Sequence, residues 1–263
     1  MSAYQRIHRS LDRAYRKSRK VKLDLDEAKW VLFSDHHRGS KDQADDFQQC
    51  EQTYQSALSH YFKEGFSLAL LGDVEELWEN KISIVLKKYQ DVLKTEDDFS
   101  KDGRLLKIWG NHDDYWREKI LFRHYFKDLF REVNCSECIS FICYRDGVFQ
   151  GEIVVLHGHQ GSWTSEKFAT ISRFFVRYFW RYFQKITGYK LTSASKDLNL
   201  KSKTDHAMYD WASQNEKVLI CGHTHQPVFM SGTHLDYLYN ELNHAQNEAE
   251  VQRLESELSK HRD

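Results

Sequence analysis

Acidic, amide and imidazole side chains gather in this chain at the ends of apolar runs. The run Leu68 to Leu71 stops at Gly72 and Asp73, within LALLGDVEELWEN. Four others stop in the same way: WVLFSDHHRG from Trp30, LLKIWGNHDDYW from Leu105, EIVVLHGHQG from Glu152 and KVLICGHTHQP from Lys217. Asp, Asn and His are oxygen and nitrogen donors for divalent cations, and no such cluster interrupts a run midway. One Gly-Asp after a strand is ordinarily a plain turn, and one histidine a surface or core residue. Five clusters in series are a shared signal.

Asp35 and His37 lie two apart, so on a strand-like segment both face one way and can reach one ion; His223 and His225 repeat that spacing. Asp73, Asn111 and His157 bring the candidates to seven, too many for one tetrahedral ion and enough for two if a carboxylate is shared. Asp73 is the natural bridge. Two cations about 3.5 to 4 Å apart acidify a bridging water to hydroxide and clamp the attacking and leaving oxygens of a displacement at phosphorus. His112, beside Asn111, need not bind metal; it can protonate the leaving oxygen or hydrogen-bond the developing charge, with Asp113 to orient it.

These residues need strands to carry them. An apolar run ended by glycine sets its first polar residue at the carboxyl end of a buried strand, where open α/β sheets keep their chemistry. Residues 45–66 have helical spacing, so WVLFSD, this helix and the strand before Asp73 form a βαβ unit. Residues 76–96 and 116–132 read as helices with the strand 104–109 between them, and ISFICYR and EIVVLH as a hairpin about Asp146-Gly147. The expected architecture is a layered α/β sandwich.

About sixty residues separate His157 from the run at Val218, too many for a structureless loop. Within them Arg173, Arg177, Arg181 and Lys185 recur at intervals of four, one basic stripe on a helix whose other faces carry aromatics. The expectation is a helical insertion at 163–212, an ordinary cap or a lid in which Arg177 and Arg181 pair with phosphate. Residues 1–29 are expected as a basic N-terminal helix with Tyr4, Ile7, Leu11 and Ala14 on one face, packed on the domain or, alternatively, meeting anionic lipid. Residues 30–232 then form the catalytic domain and 233–263 a polar C-terminal helix.

Composition excludes little but bounds the answer. At 263 residues the chain suits one sizeable α/β domain, and a formal charge of -1 marks neither nucleic acid nor membrane as a bulk partner. Five cysteines without regular spacing fit reduced thiols, with Cys135 and Cys138 a structural pair. Without a signal-like or membrane-length apolar stretch, a cytosolic protein with at most peripheral membrane contact is expected.

SDHH, LGDVEE, GNHD, LHGH and GHTH, in this order across residues 30–230, resemble the metal motifs of the calcineurin-like metallophosphoesterase superfamily. The resemblance implies a four-layer α/β/β/α sandwich. It also implies one metal held by Asp35, His37, Asp73 and His225, a second by Asp73, Asn111, His157 and His223, and His112 as the catalytic histidine. GDVEELWE and the long insertion resemble UDP-2,3-diacylglucosamine hydrolases, which cleave a pyrophosphate and use inserted helices to hold acyl chains. Those enzymes commonly have Arg in place of His112 and Asp in place of His159. The expected activity is hydrolysis of a phosphoester or pyrophosphate in a phosphorylated small molecule or lipid-linked substrate. Two divalent ions would serve it, manganese first, with iron or zinc as alternatives, since no thiolate is among the ligands. A metal-free scaffold and a nuclease are the competing classes; no candidate ligand is missing, and no dedicated nucleic-acid module is legible.

Overall fold

The computed structural model describes residues 2–160, 198–225, 238, 242 and 248–259. Strands β2 (Trp30–Phe33), β3 (Ser67–Leu71), β4 (Leu105–Ile108) and β5 (Cys135–Ser136) form one sheet in that order, parallel throughout. Strands β1 (Arg19–Asp24), β6 (Cys138–Arg145), β7 (Val148–Leu156) and β8 (Val218–Ile220) form a second, ordered β1-β6-β7-β8, in which only the β6/β7 hairpin is antiparallel.

Alternation along each strand builds the layers. In β3, Ala69 and Leu71 face the second sheet, meeting Ile139, Phe141 and Val155 in the inter-sheet core. Leu68 and Leu70 face the other way, toward α2 (Glu51–Lys63), α4 (Gln90–Lys101) and α5 (Lys119–Tyr125), among Leu58, Val92, Phe99 and Phe122. On the far side, Val154 and Leu156 pack against Leu11 and Ala14 of α1 (Ala3–Arg16) and against Met208 and Trp211 of α6 (Leu198–Gln214). The result is the α/β/β/α sandwich. Each fully buried large apolar side chain contributes about 1.5–3 kcal/mol.

Several boundaries differ from the sequence expectation. The N-terminal helix ends at Arg16, and Arg19–Asp24 is a strand whose alternating Val21 and Leu23 reach the inter-sheet core. The apolar side of α1 is packed on the domain, Leu11 and Ala14 being fully buried. Residues 76–96 are not one helix: a loop leads into α3 (Ile82–Lys88), which breaks at Tyr89 before α4. Within 116–132 a short 3-10 turn at Asp114–Arg117 precedes α5. Of the insertion expected at 163–212, the part in α6 belongs to the core through Ala207, Met208 and Trp211; residues 163–197, with Arg177 and Arg181, lie outside the described residues. The chain divides into units Met1–His225 and Gln226–Asp263. In the second unit, Leu238 and Leu242 pack with Leu254 and Leu258 of α7 (Glu248–Ser259). Among the described residues no helix is long and apolar enough to cross a membrane, and all five cysteines are free.

Lys107 interrupts the apolar run of β4, and it is fully buried. Its Nζ lies 3.1 and 3.0 Å from the Glu75 oxygens, and Trp116 Nε1 donates to the same carboxylate at 2.8 Å. Burial alone would drive Lys107 down, but Glu75 holds it above its ordinary value; burial would drive Glu75 up, but Lys107 and then Arg38 hold it low. Glu75 follows Asp73 by two, so the pair anchors the Asp73 loop to the sheet. Lys107→Met should cost about 3–5 kcal/mol by stranding a buried carboxylate, and adding Glu75→Gln should restore part of it. Urea unfolding midpoints measure both, and an unchanged midpoint for the single variant would contradict the anchor.

Candidate active site

The parallel strands β2, β3 and β4 end on one side, and their loops are sewn together by backbone hydrogen bonds. Asp35 N donates to Gly72 O at 3.1 Å, His37 N to Asp73 O at 2.9 Å, Arg38 N to Val74 O at 3.0 Å and Leu77 N to His112 O at 3.2 Å. The second sheet joins through His223 N, which donates to Asp35 Oδ2 at 3.0 Å, and through the His157 ring, whose Nδ1 lies 2.9 Å from Leu71 O. Both sheets therefore supply the rim: Asp35, His37, Asp73 and Asn111 from one, His157, His223 and His225 from the other.

Such close approach needs glycine and strained backbone. Gly72 has φ +88, and a Cβ on Gly110 would run into the Asp73 carboxylate, lie 2.6 Å from the Asp73 amide nitrogen and 2.8 Å from the His157 ring. Gly110→Ala should therefore displace Asp73 and lower both metal uptake and turnover; wild-type values for both would contradict this packing. Asp35, His37, Asp73, His223 and His225 all hold left-handed φ, between 49 and 73. Each such non-glycine residue costs on the order of 1–3 kcal/mol, a strain that clusters at functional sites.

Six of the seven rim residues fall into two groups. Asp35, His37 and His225 form the first: His225 Nε2 lies 3.1 Å from Asp35 Oδ1 and 3.3 Å from His37 Nε2. Asp73, His157 and His223 form the second, with His157 Nε2 3.0 Å from Asp73 Oδ2. The same Asp73 oxygen lies 3.8 Å from His37 Nε2, so it faces both groups at once. Its other oxygen accepts the His112 amide at 2.7 Å.

These side chains fit divalent cations. His157 Nδ1 lies 2.9 Å from Leu71 O, and as the donor there it would leave the buried Nε2 for a cation; the Asp73 carboxylate beside Nε2 holds the ring above its ordinary pKa against its burial. Asn111 Oδ1 is a buried acceptor without a donor. Burial and then His157 push His223 down to about 4, keeping it neutral as a ligand must be. Burial opposes the charge on Asp35, but the His225 hydrogen bond and the His157 ring bring its carboxyl down to about 2. Asp73 is also held low, by His157 and then His112 against its own burial. Carboxylates and imidazole nitrogens converging in two groups are a donor set for divalent cations.

His112 stands beside this set. Its ring stacks on Trp78, with centroids 4.1 Å apart and planes at 18°, and its Nε2 lies 4.0 Å from Asp73 Oδ2. Nδ1 lies 2.6 Å from Glu76 Oε2, though out of line for a conventional hydrogen bond, and the same oxygen is 3.3 Å from His37 Nδ1. Burial lowers the His112 pKa, but Glu76 and then Asp73 outweigh it and raise it to about 9, so the ring carries a proton near neutrality. The carboxylate of Asp113, expected to orient His112, accepts the amides of Gly110 at 2.6 Å, Val74 at 2.9 Å and Asp73 at 3.3 Å. It ties the third loop to the Asp73 loop, and Glu76 takes the position against the ring. Sequence spacing did not single out Glu76, because it lies in a loop that the pattern assigned to a helix.

An α/β/β/α sandwich whose strand ends gather such donors around a shared carboxylate defines a metal-dependent phosphoesterase. The calcineurin-like phosphoesterase family model matches residues 28–227, and the chain belongs to that family. A comparison with curated proteins gives no match.

Proposed function

We propose that the protein hydrolyses a phosphoester or pyrophosphate bond with two divalent cations. Asp35, His37, Asp73 and His225 would hold one, and Asp73, Asn111, His157 and His223 the other. The observation that carries this reading is Asp73 Oδ2, 3.0 Å from His157 Nε2 and 3.8 Å from His37 Nε2, facing both groups. Bound there, the cations supply an acidified water and charge for the oxygens at phosphorus. His112 then gives the proton at Nε2 to the leaving oxygen, while Glu76 stands at Nδ1 and Trp78 fixes the plane of the ring. Asp113 keeps the Asp73 and His112 loops at their separation through three amides.

Hydrolysis by the manganese-loaded chain should be screened with phosphomonoesters, phosphodiesters, nucleotide pyrophosphates and UDP-linked lipids. Chelator-sensitive turnover of at least one class is expected, and the last arm tests the lipid-linked substrate to which GDVEELWE points. Turnover that survives full chelation, or none in any class, would contradict the proposal.

A further inference from the structure

Two residues of the loop after β2 take no part in the mechanism above. Along Asp35-His36-His37-Arg38, Asp35 and His37 turn to the first ligand group, while His36 and Arg38 turn the other way, into the layer of α2 and α4. The His36 ring packs against Tyr54 and Phe47, with centroids 4.4 and 4.9 Å apart. Arg38 is fully buried, and its guanidinium meets the fully buried Glu96 of α4 through two nitrogens, with Nη1 3.2 Å from Oε2. A guanidinium can only donate, so Nη2, 3.2 Å from His36 Nδ1, fixes that ring nitrogen as an acceptor. Tyr54 of α2 closes the network, its hydroxyl donating to Glu96 Oε1 at 2.8 Å. Above it the backbone is strained and tied down: Asp35 and His37 hold φ of 56 and 49, Arg38 N donates to Val74 O at 3.0 Å, and Glu76 N donates to Arg38 O at 2.9 Å. Two non-glycine residues in the left-handed region persist only where their surroundings hold them there.

We infer that Arg38 is a positioning residue for the cation of the first group: held by Glu96 and His36 beneath the turn, it keeps Asp35 and His37 in ligand geometry and so sets that cation's affinity. This rests on the two-cation reading above and deepens it. A buried ion pair adds little stability that well-packed apolar side chains of similar volume would not supply, so the use of this one lies in fixing a single arrangement of the loop. The planar fork suits that use, because one guanidinium engages both carboxylate oxygens and a ring nitrogen at set angles. The second group is held from elsewhere, the His157 ring at Leu71 O and the Asp73 carboxylate at the His112 amide. The effect should therefore fall on one ion of the two.

Calorimetric titration of the chelator-stripped full chain with Mn2+, beside urea unfolding in chelator, tests this on a protein that combines Arg38→Met with Glu96→Met. Removing both charges together should leave the urea midpoint at or above that of the wild type, while one equivalent binds roughly 10–100-fold more weakly and the other keeps its affinity. Both equivalents at wild-type affinity would overturn the inference. So would a midpoint that falls together with the affinity of both equivalents, the mark of a pair that only stabilises the fold. Arg38→Lys keeps the charge but cannot serve Glu96 and His36 at once, and it should show a smaller loss at one equivalent. Wild-type affinity for both equivalents in Arg38→Lys would overturn the inference even if the double variant does not fold. A wild-type chain that binds fewer than two equivalents would sink the two-cation reading and the inference with it, whereas two equivalents in the wild type and in both variants alike would sink the inference alone.

Discussion

Asp73→Asn should lose at least one bound cation and nearly all turnover while remaining folded. Asn keeps the size of the side chain and an oxygen for the His112 amide, now 2.7 Å from Oδ1, so the loop loses little geometry. What it loses is the full charge that faces both ligand groups, with His157 Nε2 and His37 Nε2 on either side of Oδ2. Neither group retains enough negative charge to replace it, since Asp35 is the one other carboxylate among the seven. Elemental analysis beside a rate measurement checks this. Two ions per chain and an unchanged rate would remove Asp73 from the bridging position.

The second large effect is expected at His112. Its alanine variant should keep its metal content, because the ring lies beside the two ligand groups, and should lower the rate by roughly 10²–10⁴. The loss should shrink as the leaving group improves, since a good leaving group needs little protonation. A loss that is constant along a leaving-group series would reduce His112 to a structural or general electrostatic role. Glu76→Gln should reproduce part of the defect, because Glu76 Oε2 is the charge that faces Nδ1 and the first cause of the raised His112 pKa after burial. Exchange of Asp113 should act differently, by loosening the backbone between Gly110 and Val74.

Much of this site was legible because its chemistry sits at strand ends, where an apolar run and a glycine mark the position in the sequence. Asp35, Asp73, Asn111, His157 and His223 each follow such a run, and their convergence needed only parallel strands ending on one side. What was not legible depends on contacts across loops. Asp113 and Glu76 are neighbours of motif residues, and spacing alone made Asp113 the natural partner of His112. Only the folded loops show Asp113 turned toward backbone amides and Glu76 toward the ring. The fully buried Lys107 was hidden for a similar reason, because its partner Glu75 comes from another loop. Strand β1 carried its signal openly, in the alternation of Val21 and Leu23 with lysines, but the basic composition and helical face of residues 1–22 masked it. Neither proline nor glycine marks the breaks at Tyr89 and after Arg117.

The central claim is that both ligand groups bind a cation and that Asp73 serves both. A titration of the chelator-stripped protein with Mn2+, following bound metal and turnover together, tests it most directly. Activity should rise with the filling of two equivalents per chain, and the Asp73→Asn protein should never reach the second. Full activity at one equivalent, or two equivalents bound by Asp73→Asn with wild-type affinity, would contradict the account.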